Sequence, residues 1–145
     1  MAKGEKVDDV IEVLRQSSIF GELPDKRLEK VRKAGKEMIF RPGDELAVQG
    51  ESGDGRYFLI VDGEAELQID GVARRTLSRG EDVGEISLID GGPRSATVRA
   101  RTDVRTFSLS SWNFRPLLAD VDIATAVVDL LCKRIRSGQA TADHH

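Results

Sequence analysis

The chain has 145 residues, 39% apolar and 32% charged, with a formal net charge of −3. This is the size and balance of one globular domain rather than of a chain disordered throughout, no apolar run reaches the ~20 residues of a membrane span, and the acidic balance argues against a general nucleic-acid partner. Residues 1–6 lack the apolar run of a signal peptide, and a single cysteine, Cys132, cannot form an internal disulfide, so the expected compartment is the reducing cytoplasm.

In chain order, Val7, Val10, Ile11 and Leu14 recur at i, i+3, i+4 and i+7, one face of an amphipathic helix. Lys6, Asp8, Asp9, Glu12 and Arg15 fill the other face. A second helix is expected to start at Pro24, run through Leu28 and Val31 and stop near Gly35, so that helices occupy 6–34.

From 36 to 110 the period changes. Ala65 to Asp70 alternates strictly between apolar and polar, a strand with one buried and one wet face. Asp62-Gly63 and Asp70-Gly71 flank it, and both read as two-residue hairpin turns. Tyr57 to Val61 is continuously apolar, a strand covered on both sides. Ala96, Val98 and Ala100 point one way while Thr97, Arg99 and Arg101 point the other, and Phe107 and Leu109 repeat the alternation. Short strands with glycine turns every 8–12 residues or so predict a jelly-roll β-barrel.

The helical period then returns. Ser110 or Ser111 caps a helix carrying Phe114, Leu117 and Leu118. A last helix carries Ile123, Val127, Leu130, Leu131 and Ile135 and is expected to end at Gly138. The prediction is therefore a mainly β domain over 1–138, with a barrel at 36–110, carboxy-terminal helices at 111–137 and a disordered tail at 139–145.

The chemistry concentrates between 84 and 98. Arg94 offers a planar fork that grips two oxygens of one phosphate, which a lysine cannot match geometrically. Ser95 adds a hydroxyl donor. Gly84 removes a Cβ at a point of close backbone approach, and the turn from Ile86 to Asp90 directs amides at an anion. Glu85 can accept a ribose 2′-hydroxyl; left unpaired in a closed pocket it would cost ~1–3 kcal/mol or more. Plainer readings exist. Gly-Glu before a turn is ordinary, and Arg94 beside Glu85 is equally a barrel-mouth ion pair worth about 0–1 kcal/mol if exposed. Ile86 and Leu88 read as core residues seating the turn, and Ile86 then meets a ligand only through its backbone. Pro93 stiffens the approach to Arg94, and Arg99 and Arg101 read as a solvated strand face.

Gly84-Glu85-Ile86-Ser87-Leu88, a short loop and Arg94-Ser95-Ala96 together resemble the phosphate-binding cassette of the cyclic-nucleotide-binding family, as found in catabolite-activator-type regulators and cyclic-nucleotide-gated channels. The likeness extends to Arg41-Pro42-Gly43-Asp44, Gln49-Gly50-Glu51, Gly53-Asp54, Tyr57-Phe58, Asp62-Gly63-Glu64 and the helices from Ser111 onward, covering roughly 10 to 136. The resemblance implies a cAMP or cGMP sensor whose ligand sits on Gly84, Glu85, Ile86, Ser87, Arg94, Ser95 and Ala96.

Leu77 and Val83 are candidates for an apolar wall at the base, although barrel residues are buried anyway. In the family the last helix closes over the base as a lid, which makes Val128, Leu131, Cys132 and Arg134 candidate base contacts. The first three equally fit a packing face and Arg134 a solvated one. A hydroxyl at Ser95 tolerates both bases in this family, and cAMP is favoured over cGMP on general frequency alone.

Catalysis is not expected. The only histidines are His144 and His145, the last two residues, so no metal cofactor and no nucleophile–histidine pair is foreseen. The ligand would instead shift the helices at 111–137, acting on a protein partner or effector, with no nucleic acid and no membrane insertion. The helix-turn-helix that follows the sensor in transcription factors has no counterpart here, and Met1 before a natural helix favours a stand-alone protein over an excised fragment. Two rivals stand: a sensor of another small anion, and a ligand-free interaction module on the same scaffold.

Overall fold

The computed structural model describes residues 8–52 and 55–142, with side chains described as far as Gly138. Val7, Gly53, Asp54 and the terminal histidines lie outside the described residues.

Helix α1 spans Asp9–Leu14, capped by the Asp8 carboxylate, which accepts the Val10 amide at 3.0 Å. It buries Val10, Val13 and Leu14, while Ile11 is only half-buried. Helix α2, Asp25–Ala34, begins immediately after Pro24, ends against Gly35 and buries Leu28 and Val31.

Eight strands follow in two antiparallel sheets. The first has the order β1 (Lys36–Phe40), β8 (Val104–Leu109), β3 (Tyr57–Asp62), β6 (Asp82–Val83). The second has the order β2 (Glu45–Ala47), β7 (Thr97–Ala100), β4 (Ala65–Ile69), β5 (Val72–Leu77). This is a mainly β sandwich of jelly-roll type with flanking helices, as the alternation predicts.

The two Asp-Gly turns behave differently. Asp70-Gly71 closes the β4–β5 hairpin, with Ile69 opposite Val72 and both turn residues at positive φ. Asp62-Gly63 makes no hairpin: β3 pairs with β8 and β6, whereas β4 pairs with β7 and β5. It is instead the corner where the chain changes sheets. Gly63 has φ +95°, and a Cβ there would lie 2.1 Å from the Asp103 carbonyl oxygen.

Strand β3 is buried on both faces, as its unbroken apolar run implies. Tyr57, Leu59 and Val61 face a core shared with the helices, and Phe58 and Ile60 face a second core between the sheets. In β8, Phe107 and Leu109 join the helical core, while the alternate residues Thr106 and Ser108 are also buried and donate to the Met38 and Lys36 carbonyls.

After Leu109 the chain returns to helix. Ser110 caps α4 (Ser111–Phe114) by accepting the Asn113 amide. Pro116 removes an amide donor, so the expected single helix continues as a 3-10 turn, Arg115–Ala119. Helix α5 is longer than expected. It runs Val121–Ala142, straight through Gly138. A lone interior glycine costs only about 1 kcal/mol relative to alanine, and the residues around it propagate a helix. Ile123, Val127 and Leu130 anchor α5 in the helical core, while Val128 and Ile135 are exposed.

Candidate phosphate and ribose site

Strand β6 ends at Val83, and Gly84 turns the chain into α3, Glu85–Asp90. Gly84 is left-handed, with φ +86°. A Cβ there would lie 2.3 Å from Nη1 of Arg94 and 2.7 Å from the Arg56 carbonyl oxygen. Glycine is thus required twice, by its backbone angle and by the guanidinium laid against it.

Arg94 is held from both ends. Its backbone amide donates to the Glu51 carbonyl and its carbonyl accepts the Gly50 amide, each at 2.9 Å. Its Nη2 donates to the Arg56 carbonyl. The guanidinium is therefore seated on the start of α3.

Glu85 opens α3 and pairs with Arg134 of α5. Its side chain is 12% exposed. Burial pushes its carboxyl above the usual range; its own amide and the Arg134 charge oppose that shift in part.

These groups open onto one cavity of about 400 Å³, ample for a small organic anion. Gly84, Glu85, Ser87, Arg94, Ser95 and Ala96 all line it, as do Val83 and Arg134. Ile86 does not; its side chain is half-exposed on the outer face of α3. Leu77 is fully buried in the core between the sheets and does not reach the cavity.

The lid candidates divide. Only Arg134 reaches the cavity, and it meets Glu85. Leu131 packs against the helical core, and Val128 and Cys132 are exposed away from the site. A helix shows one face to a neighbour, and Ile123, Val127 and Leu130 have already taken that face.

Other lining residues come without a local signal. Ala47 and Leu67 supply apolar wall from β2 and β4, and Arg75 reaches in from β5 while pairing with Glu81 at 3.1 Å. Gln16 and Ser18 arrive from the turn after α1, far away in sequence. Only the tertiary fold brings them here.

A cavity on a jelly roll, lined by an arginine seated on a left-handed glycine and by a largely buried carboxylate, points to a class, and sequence comparison agrees. Residues 37–121 match the cyclic nucleotide-binding domain family, and the chain belongs to it. It is 35% identical over 95 residues to the cAMP-dependent protein kinase regulatory subunit of Emericella nidulans, covering 64% of this chain and 23% of that protein. It superposes on the N-terminal domain of a transcriptional regulator from Streptomyces coelicolor A3(2) with a TM-score of 0.76 and 31% identity, covering 87% of this chain and 94% of that one. The regulatory domain of Toxoplasma gondii PKA, crystallised with cAMP, gives 0.69 and 27%, covering 84% and 48%. The chain spans 23–36% of the length of the curated relatives it matches. What is shared with those relatives is a cyclic nucleotide-binding domain, and the relatives themselves are regulatory subunits. No helix among the described residues is long and apolar enough to cross a membrane.

Proposed function

We propose that this domain senses a cyclic nucleotide, cAMP in preference to cGMP, and reports occupancy through its carboxy-terminal helices. The observation that carries the reading is the seating of Arg94 on Gly84 within the cavity that also holds Glu85.

Arg94 and Ser95 hold the exocyclic phosphate oxygens, a charge-assisted contact suited to a guanidinium fork. Glu85 accepts the ribose 2′-hydroxyl. A buried carboxylate beside an anion site is unfavourable by itself, and a hydroxyl donor relieves it. Leu67 and Arg75, which line the same cavity, are the groups we assign to the base.

The output follows from α5. Arg134 reads the state of Glu85 directly, so a ligand that engages Glu85 alters the hold on α5. Such a switch needs only a difference in affinity between two placements of the helix. The recipient is a protein effector in the cytoplasm, and no metal cofactor takes part. A docking module without a ligand has no use for a largely buried carboxylate and a seated guanidinium lining one cavity. Titration of the stripped protein with cAMP and cGMP tests the reading; 1:1 binding supports it, and no binding by folded protein refutes it.

A further inference from the structure

A second polar constellation lies beside the cassette. Tyr57 is fully buried, and its phenol donates to Oδ2 of Asp82 at 2.8 Å. The same carboxylate accepts the Ser18 amide at 2.9 Å and the Ser18 hydroxyl at 3.0 Å on each oxygen. Ser17 Oγ accepts the amides of Ile19 and Phe20 at 3.1 and 3.0 Å. Its single proton is therefore left for Tyr57, at 2.9 Å, or Asp82, at 3.2 Å. Burial, followed by the Asp82 charge, pushes the Tyr57 phenol well above its usual range, so it stays a donor.

This carboxylate occupies a junction. Asp82 pairs with Leu59 in the β3–β6 ladder and lies just ahead of Gly84. The turn it grips is the one that carries Gln16 and Ser18 into the nucleotide cavity. The Gln16 carboxamide also covers Gly80, where a Cβ would lie 2.0 Å from Oε1. One side chain thus fixes three things together: the turn after α1, the central strand β3, and the strand that feeds the phosphate cradle.

We propose that Asp82 is a positioning residue for ligand binding, whose carboxylate clasps the 17–20 turn to the strand entering Gly84–Glu85, so that bound nucleotide and this turn stabilise each other. The inference rests on the nucleotide-binding reading above. Reciprocity is required by linkage: if the clasp helps to set the cradle, a ligand that tightens the cradle must tighten the clasp by the same factor. A hydrogen bond to a charged group contributes more than a neutral one, so a carboxylate with several donors is a strong tie.

The test is amide hydrogen exchange at Ser18, Ile19 and Phe20 of the whole chain, with and without saturating cAMP, beside calorimetric affinities. In the wild type, nucleotide is expected to slow exchange at these amides by about tenfold or more. Asp82→Ala is expected to abolish that slowing and to weaken binding by about tenfold. Asp82→Asn, which keeps a carbonyl acceptor, should recover part of both. Should Asp82→Ala fail to fold, Ser18→Ala removes one donor of the clasp and is expected to reduce the slowing. Variants that lose thermal stability yet keep the full nucleotide-dependent slowing would reduce Asp82 to a structural residue and overturn the inference. Nucleotide binding to the wild type with unchanged exchange at these amides would overturn it alone. A wild type that binds no cyclic nucleotide would overturn both this inference and the reading beneath it.

Discussion

Arg134 of α5 donates to Glu85, the first residue of α3, and joins the last helix to the cassette. The pair is lopsided: the Glu85 side chain is 12% exposed and that of Arg134 45%. The carboxylate bears the desolvation while the guanidinium keeps its water. Under the proposed function, Glu85 is the joint at which a ligand and the carboxy-terminal helix compete or cooperate, and α5 is the element that registers the outcome.

Arg134→Ala tests that joint. A half-exposed arginine contributes at most about 1 kcal/mol, so nucleotide affinity should fall no more than about fivefold. Helix α5 should respond more clearly. Amide exchange from 127 to 138 is expected to quicken in the variant and to lose its dependence on nucleotide. An α5 that responds to nucleotide as before would place the output elsewhere.

The raised carboxyl of Glu85 gives a pH signature. Its folded value lies above the 4.5 of an ordinary glutamate, with burial as the main cause. Below 4.5 both states are protonated and the group contributes nothing; as pH rises through the folded value, the buried charge forms and destabilises the fold. Stability to urea should therefore fall across that window relative to Glu85→Gln. Nucleotide affinity should rise across the same window, because only the ionised carboxylate is a full acceptor for the ribose hydroxyl, and Glu85→Gln should flatten the profile. Parallel curves for the two proteins would remove Glu85 from the site.

Gly84→Ala meets two obstacles together, a φ of +86° and contacts of 2.3 and 2.7 Å. Strain of this kind costs about 1–3 kcal/mol. The Arg94 guanidinium must also move, so affinity should fall by more than tenfold. Denaturation and titration of the same variant separate the two effects. Gly91→Ala is the control, since it shares a positive φ but has open space around it; it should lose stability and keep its affinity.

Arg75 tests the base. Guanine presents two acceptors that suit a guanidinium fork, and adenine presents one acceptor and a donor. Arg75→Ala is therefore expected to weaken cGMP several-fold and cAMP less than twofold. Equal effects on both would place the base away from β5.

Much of this was legible in the sequence for physical reasons. A Val-Leu-type run such as Tyr57–Val61 has only one comfortable fate in a small β domain, and Asp70-Gly71 permits the positive φ values of a tight hairpin. The cassette was legible because its demands are local: a glycine without a Cβ, a fork, a carboxylate. The misreadings share one cause. Asp62-Gly63 has the chemistry of a hairpin, and only the pairing of β3 with β8 makes it a corner. Gly138 has the chemistry of a stop, yet the helix continues through it to Ala142. Helical period alone could not select which of Val128, Leu131, Cys132 and Arg134 faces the cassette, because that depends on how α5 rolls onto its core. Gln16, Ser18 and Arg75 left no signal, since their place in the cavity wall exists only after folding.

The most direct measurement is calorimetric titration of protein stripped of co-purified nucleotide by unfolding and refolding, comparing wild type with Arg94→Ala. The account predicts saturable 1:1 binding of cAMP, weaker binding of cGMP, and a loss of about a hundredfold or more in the variant, as expected for removal of charge-assisted bonds worth about 3 kcal/mol. A folded wild type that binds neither nucleotide, or an Arg94→Ala variant that binds as tightly as the wild type, would contradict it.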